Sequence, residues 1–200
     1  MATEQDFIVP LDTYLKSGLH IGTKSRTKYM EQFIYKIRPD GLSVLNIKTT
    51  NERIDMATKF ISRFAPEDIL VVCKRENGWN AVKMFSKMTG IRSYAGRYHP
   101  GVLTNAQLED FTEIKVLLAV DPWPDKDAIR DAVHVGAIVV SLCDTNNESN
   151  FIDFVVPCNN KGKKSLGLFF WILAREYMKS REMIKDEKEM EFSLDQFMAD

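Results

Sequence analysis

Six consecutive residues, Asn159-Asn160-Lys161-Gly162-Lys163-Lys164, place amides, cations and one glycine between the apolar run Phe154 to Val156 and a long apolar stretch that starts at Ser165. Where a strand ends and a helix begins, free backbone N–H groups meet the positive end of the helix, and lysines add charge. The chemistry these residues suit is therefore capture of an anion, phosphate above all. That phosphate belongs either to a nucleotide held by an enzyme or to the backbone of a nucleic acid. A Walker loop needs a glycine five residues ahead of its Gly-Lys pair, and Pro157 stands there. No G-x-G-x-x-G follows any strand-like run either, so neither glycine-rich nucleotide cradle is present. An RNA backbone is the better reading.

Two other stretches have the same character. Gly18 to Lys28 alternates hydroxyl residues with Lys24, Arg26 and Lys28, and Gly96 to Asn105 is an irregular loop in which Arg97, Tyr98 and His99 supply a cation, a stacking face and a hydrogen-bonding ring. The plain alternative for the second loop is that Tyr98 packs on the core and the glycines only turn the chain. His20, between apolar neighbours, reads as a structural group or an RNA contact rather than a catalyst. Asp121 and Asp144 follow apolar strands and would lie on the usual ligand-binding edge of an open α/β sheet, which makes them the best acid candidates for an enzyme. Both adjoin turn formers (Pro122-Trp123-Pro124 and Thr145-Asn146-Asn147), so turn and capping roles explain them without catalysis. No Ser–His–Asp, H-E-x-x-H or paired-carboxylate pattern accompanies them. Trp123, between two prolines, is expected to be a rigid, half-buried loop aromatic. Cys73, Cys143 and Cys158 are odd in number and widely spaced, which suits buried thiols and indicates neither a disulfide framework nor a zinc site.

The elements that must position these groups can be read from periodicity. Asp12 to Leu19 predicts a short amphipathic helix with Leu11, Tyr14, Leu15 and Leu19 on one side. Phe33 to Ile37 and Leu42 to Ile47 predict a hairpin about Pro39-Asp40-Gly41. Thr49 and Glu52 suggest a capping box for a helix running toward Pro66. Ile69 to Cys73 is a fully apolar strand, followed by a helix that Asn77 would cap and Gly90 would end. Lys115 to Val120, a helix from Lys126 to Val135 capped by Asp125, and Ala137 to Leu142 form a strand–helix–strand unit, whose strands must be parallel. The apolar run from Ser165 onward has no polar face, so it predicts a buried helix. The fold class is α/β.

Composition bounds the rest. Two hundred residues with 44% hydrophobic content suit one domain. The acidic opening MATEQDF and the lack of any apolar run near about eighteen residues point to a cytosolic protein with no membrane segment. The net charge of −1 averages two unlike regions. Lys16, Lys24, Arg26, Lys28, Lys36 and Arg38 face only Glu31 between positions 16 and 38, whereas positions 186 to 200 hold six acids and Lys188. The alternative is an ordinary solvated surface with chance clustering.

Read together, Gly18-Leu19-His20-Ile21-Gly22, the stretch Phe33 to Gly41, Gly96-Arg97 with Pro100 to Asn105, and Ser141 to Asn146 resemble the universal small-ribosomal-subunit protein two family. Asn159 to Ser165, followed by Trp171 to Glu176, resembles its archaeal and eukaryotic branch, which includes the laminin-receptor-precursor relatives. The resemblance runs in order from about Pro10 to Glu176. It implies a flavodoxin-like three-layer sandwich with a mainly parallel sheet, plus the N-terminal hairpin and extended arms. It also implies no enzymatic activity and no cofactor or small-molecule substrate. The implied place is on the solvent side of the small subunit between head and body, in contact with ribosomal RNA and neighbouring proteins. The helical hairpin of bacterial members and the long carboxyl extension of eukaryotic ones have no counterpart, which makes the chain most similar to archaeal members. It departs from their pattern at Trp123-Pro124 and at His99. The RNA-binding set is then Lys24, Arg26, Lys28, Arg38, Arg97, His99, Lys161, Lys163 and Lys164. The alternative is an enzyme binding a nucleotide or sugar phosphate with Asp121, Asp144 and Lys163.

Residues 1–188 are expected to form a single domain and 189–200 an acidic tail. Phe192, Leu194 and Phe197 among the acids suggest that the tail folds on a protein surface, with a capping box at Ser193 and Gln196 and with Phe192 and Phe197 as protein contacts. The alternative is a disordered acidic end that aids solubility.

Overall fold

In a computed structural model of the chain, the structure describes residues 7–184, 190 and 192–199. The acidic opening and the boundary expected at 188/189 lie outside the described residues. Helix α1 (Leu11–Ser17) starts after Pro10 and stops at Gly18, which takes a left-handed backbone conformation. Of its expected apolar face Tyr14 and, just past the helix, Leu19 are buried; Leu11 and Leu15 are exposed. The hairpin strands β1 (Ile34–Ile37) and β2 (Ser43–Leu45) pair antiparallel, and Asp40 holds the turn by accepting the Leu42 N–H at 3.1 Å.

Helix α2 (Ile47–Ile61) begins earlier than the expected Thr49–Glu52 box. Asn46 caps it instead, accepting the Lys48 N–H at 3.1 Å, and its own N–H is tied to the Phe33 carbonyl at 2.8 Å, which brings the hairpin to an end there.

Five strands form one parallel sheet: β3 (Ile69–Cys73), β4 (Arg92–Ala95), β5 (Val116–Ala119), β6 (Ile138–Cys143) and β7 (Phe154–Pro157), in spatial order β4-β3-β5-β6-β7. The connections are α3 (Glu76–Thr89), α4 (Lys126–His134) and two irregular stretches, 96–115 between β4 and β5 and 144–153 between β6 and β7. Asn77 does not cap α3. It lies in the first turn and donates to the Lys161 carbonyl at 2.8 Å.

Helices α1, α2, α3 and α5 (Lys163–Ser180) share one hydrophobic core on one face of the sheet, and α4 with Tyr98, Val102 and Leu103 covers the other. From Ser165 to Arg175 every residue of α5 is buried, Phe169, Phe170 and Ile172 completely. Each such side chain contributes about 1.5–3 kcal/mol. A final short helix, α6 (Leu194–Met198), carries the Ser193–Gln196 capping box and lies across α5 with Phe197 fully buried. The contact depends on Gly167, since a Cβ there would stand 2.5 Å from the Phe197 carbonyl oxygen. The N-terminal segment is tied to the same layer. Ile8 donates to Asn51 at 3.0 Å, while Arg175, stacked over Trp171, donates to the Ile8 carbonyl at 3.0 Å.

Candidate nucleic-acid interface

All five strands run the same way, so every loop that follows a strand opens on one edge of the sheet. Residues 96–99 follow β4, 121–124 follow β5, 144–147 follow β6 and 159–162 follow β7. The N-terminal arm, residues 18–28, is laid along this edge as well. The Thr23 N–H donates to the Thr145 hydroxyl at 2.9 Å, Thr27 bonds Thr145 and Asn147, and the Asn159 N–H reaches the Leu19 carbonyl at 2.9 Å. Gly22 permits this, because a Cβ there would stand 2.5 Å from Thr145 Cγ2. Three of the cation-bearing stretches singled out in the sequence therefore share one edge. Arg38 lies at the turn of the hairpin, whose β2 is bonded to the arm through Ser43.

Beneath them lies a buried polar network that the sequence did not reveal. Asp121, wholly buried, receives Nε and Nη2 of Arg75 on Oδ2, and on Oδ1 the Trp123 N–H at 3.1 Å and the Asn147 amide at 3.0 Å. Asp144 accepts the Thr145 N–H at 2.6 Å and the Lys161 ammonium at 3.0 Å. Asn147 accepts from the Asp144 N–H at 2.8 Å and from Asn160 Nδ2 at 2.9 Å, linking the ends of β6 and β7. The turn roles expected of Asp121 and Asp144 are present, with an ion pair added to each. Parallel strands bring partners from distant sequence positions to one edge, so no local spacing announces Arg75 or Lys161.

Asp125 does not cap α4 with its side chain; its carboxylate accepts the Lys74 N–H at 3.0 Å and the Asp121 N–H at 3.2 Å. Burial pushes this carboxyl up to about 7, against the downward pull of those two backbone bonds. Between about pH 4 and 7 the folded chain keeps a proton here that the unfolded chain has released. The stabilisation is thus complete below about pH 4 and is lost as pH rises to 7. Asp125→Asn removes this dependence, so the variant should gain on the native chain between pH 4.5 and 7.5 in urea midpoint. An equal offset at both pH values would contradict the assignment.

The basic residues divide by their partners. Lys24, Lys28, Arg97 and Lys164 are exposed and, among the described residues, have no ion pair or hydrogen bond; His99 is exposed beside Arg97. Arg26 pairs with Glu31 and Arg38 with Asp40, each at 3.4 Å and well exposed. Such pairs contribute little and exchange readily for a phosphate. Lys163 is half-buried in the first turn of α5. Lys161 is committed to Asp144 and to Asn146 at 2.8 Å. Tyr98 offers no free stacking face. It is buried, with its hydroxyl on Asp131 at 2.9 Å and its ring edge-on to Tyr94. Trp123 departs from expectation in the other direction: it is 76% exposed. The three cysteines are buried; burial pushes the Cys73 thiol up to about 12 and raises Cys143 and Cys158 too, so none is a nucleophile near neutral pH. Phe197 is covered by α5 of its own chain, and Phe192 is half-buried with the Lys87 ammonium 5.0 Å from its ring centroid.

The family model described as ribosomal protein S2 matches the chain over residues 14–115 and 108–180. The chain is 45% identical over 196 residues to small ribosomal subunit protein uS2 of Methanococcus maripaludis strain C5, across 98% of the chain and 88% of that protein. It is 44% identical over 192 residues to the uS2 of Nanoarchaeum equitans, across 96% of each. The uS2 of Pyrobaculum islandicum is 43% identical over 197 residues, across 98% of the chain and 95% of its own length.

Proposed function

Since the chain belongs to the ribosomal protein S2 family, with archaeal-type relatives at 40–45% identity over nearly its whole length, we infer that it is a structural constituent of the small ribosomal subunit that binds ribosomal RNA. The observation that carries this reading is the full-length similarity, and the exposed cations on the carboxyl edge of the sheet give it a physical means. Lys24, Lys28, Arg97 and Lys164, with Arg26, Lys163, His99 and, at the hairpin turn, Arg38, hold phosphates by charge and fix orientation without reading many bases. Lys161 acts instead as the counter-ion of Asp144. The protein is not an enzyme. The acids an enzyme would have used, Asp121 and Asp144, are buried and already bonded to Arg75 and Lys161.

Several finer features belong to the same proposal. The strand order, renumbered from the first sheet strand, is 2-1-3-4-5, which supports a flavodoxin-like three-layer sandwich. The site on the particle is the solvent side between head and body, beside neighbouring ribosomal proteins, within the cytoplasm. Among the described residues no helix is long and apolar enough to cross a membrane. Residues 1–188 act as one domain, and 189–200 as an acidic tail whose Phe192 and Phe197 find protein rather than RNA, because its four acids would be repelled by phosphate.

The test is sedimentation. The protein should travel with small subunits and leave them as salt rises; a pool found only in the soluble fraction of growing cells would overturn the proposal. Changing Lys24, Lys28 and Lys164 together to Gln should reduce the slope of log affinity for ribosomal RNA against log salt by about 1 per cation. The urea midpoint should stay unchanged, since all three side chains lie outside the core. An unaltered slope would remove the patch from the interface.

A further inference from the structure

A cleft of about 450 Å³ opens beside the outer ends of β5 and β6, on the α4 side of the sheet. Trp123 reaches it from one loop and Phe151 from the next, and Lys126 and Arg130, one turn apart on α4, border it. Both rings are largely in water, Trp123 at 76% and Phe151 at 67% exposure. Their backbones hold them there. Pro122 and Pro124 restrict the chain on either side of Trp123, and Phe151 has a φ of 63°, a left-handed conformation that a bulky residue rarely adopts. Two large apolar faces kept in water by a restricted backbone mark a surface that something covers.

The surrounding charges identify what covers it. Among the described residues neither Lys126 nor Arg130 has an ion pair or hydrogen bond. Among the described residues lining the cleft, the one acid, Glu148, takes a 3.3 Å hydrogen bond from Asn150. Two open cations beside two open rings fit a ligand that joins a flat apolar face to negative charge. An apolar peptide would satisfy the rings and leave both cations uncompensated, and duplex RNA keeps its base faces stacked on one another.

We propose that this cleft takes an unpaired nucleotide of RNA, with the base against Trp123 and Phe151 and the adjoining phosphates on Lys126 and Arg130. The proposal rests on the ribosomal RNA reading above and adds to its phosphate contacts a base-stacking contact with a single strand. The Asn146 and Asn150 amides on the rim supply donors and acceptors for a base edge.

Titration of the full-length protein with hexauridylate, followed by tryptophan fluorescence, tests it. Trp171 is buried and Trp79 half-buried, so stacking on Trp123 dominates any quenching. Quenching should saturate for the native protein and vanish in Trp123→Ala, with affinity lower by about tenfold or more as judged by filter binding. Lys126→Gln with Arg130→Gln should keep the quenching at saturation but lower the salt slope by about 0.7 per cation. Equal affinity of the native protein and Trp123→Ala, or equal quenching by a duplex of the same length, would overturn the proposal. In assembled subunits, ultraviolet cross-linking should join the Trp123 or Phe151 peptide to a nucleotide. Attachment to a neighbouring protein instead would also overturn it. The two failures are distinct. If the broader reading fails, the native protein does not sediment with small subunits; if this one fails, it still does, and Trp123→Ala binds RNA like the native chain.

Discussion

Asp121→Ala is expected to cost about 3 kcal/mol of folding stability, a large part of the roughly 5–15 kcal/mol available to a domain. The side chain is completely buried and holds four donor groups: two guanidinium nitrogens of Arg75, the Trp123 N–H and the Asn147 amide. Alanine leaves the guanidinium without a counter-charge and two amide donors without acceptors, and the cost comes from those stranded groups more than from the lost pair. Arg75 keeps partial access to water, with 29% of its side chain exposed, which holds the value to the lower end of the range for buried pairs. Asp121→Asn keeps an acceptor for Trp123 and Asn147 and should lose about half as much. Urea unfolding measures both, and the midpoint should fall with an unchanged slope. A midpoint for Asp121→Ala indistinguishable from the native value would mean that the network is ornamental. Its loss would also loosen the loops that present the basic residues, so RNA affinity should fall with stability although no phosphate contact has been removed.

This network marks where sequence reading stops. Strands β3, β5, β6 and β7 are legible as short apolar runs, α3 and α4 from periodicity with Gly90 as punctuation, and α5 as a long run without a polar face, because those signals lie within a dozen residues of one another. The partner of Asp121 is 46 positions away and that of Thr23 is 122. Such pairings are set by sheet order, which no local pattern encodes. Lys161 shows the result: in sequence it is one more cation in a basic turn, and in the fold it is the counter-ion of a buried acid. The opposite error at Trp123 has a related cause. Two prolines announce rigidity, but whether a rigid ring lies in or out depends on which neighbour crosses over it, and none of the described residues covers it. The basic stretches at 24–28, 97–99 and 161–164 were legible as charge, and the fold adds which of their cations stay open.

Gly167→Ala should divide the molecule's response in two. In the interior of α5 alanine is a better helix former than glycine by about 1 kcal/mol, so the body should hold or slightly raise its urea midpoint. The new methyl would stand 2.5 Å from the Phe197 carbonyl oxygen and 2.9 Å from its carbonyl carbon, and because these are backbone atoms the whole of α6 must move. Phe197 then leaves its site, giving up about 2–3 kcal/mol of burial, more than a five-residue helix can recover by itself. Hydrogen exchange at residues 194–198 should rise at least about tenfold while the central strands keep their protection. Unchanged exchange at those amides would show that α6 does not depend on close approach to α5.

The arm laid along the sheet edge bears on how the chain is made. Residues 20–23 pair with Ser43 and Leu45 of β2, but the basic part of the arm, 24–28, is fixed by bonds to Thr145 and Asn147, about 120 positions later. Synthesis runs from the amino terminus, so at about 5–20 residues per second this basic segment waits roughly 6 to 24 s before those anchors exist. The first part to emerge is thus among the last to dock, and until then its cations are open to any nearby polyanion. The fold gives the newborn protein an interval in which its basic arm is more available than it will be once folding is complete.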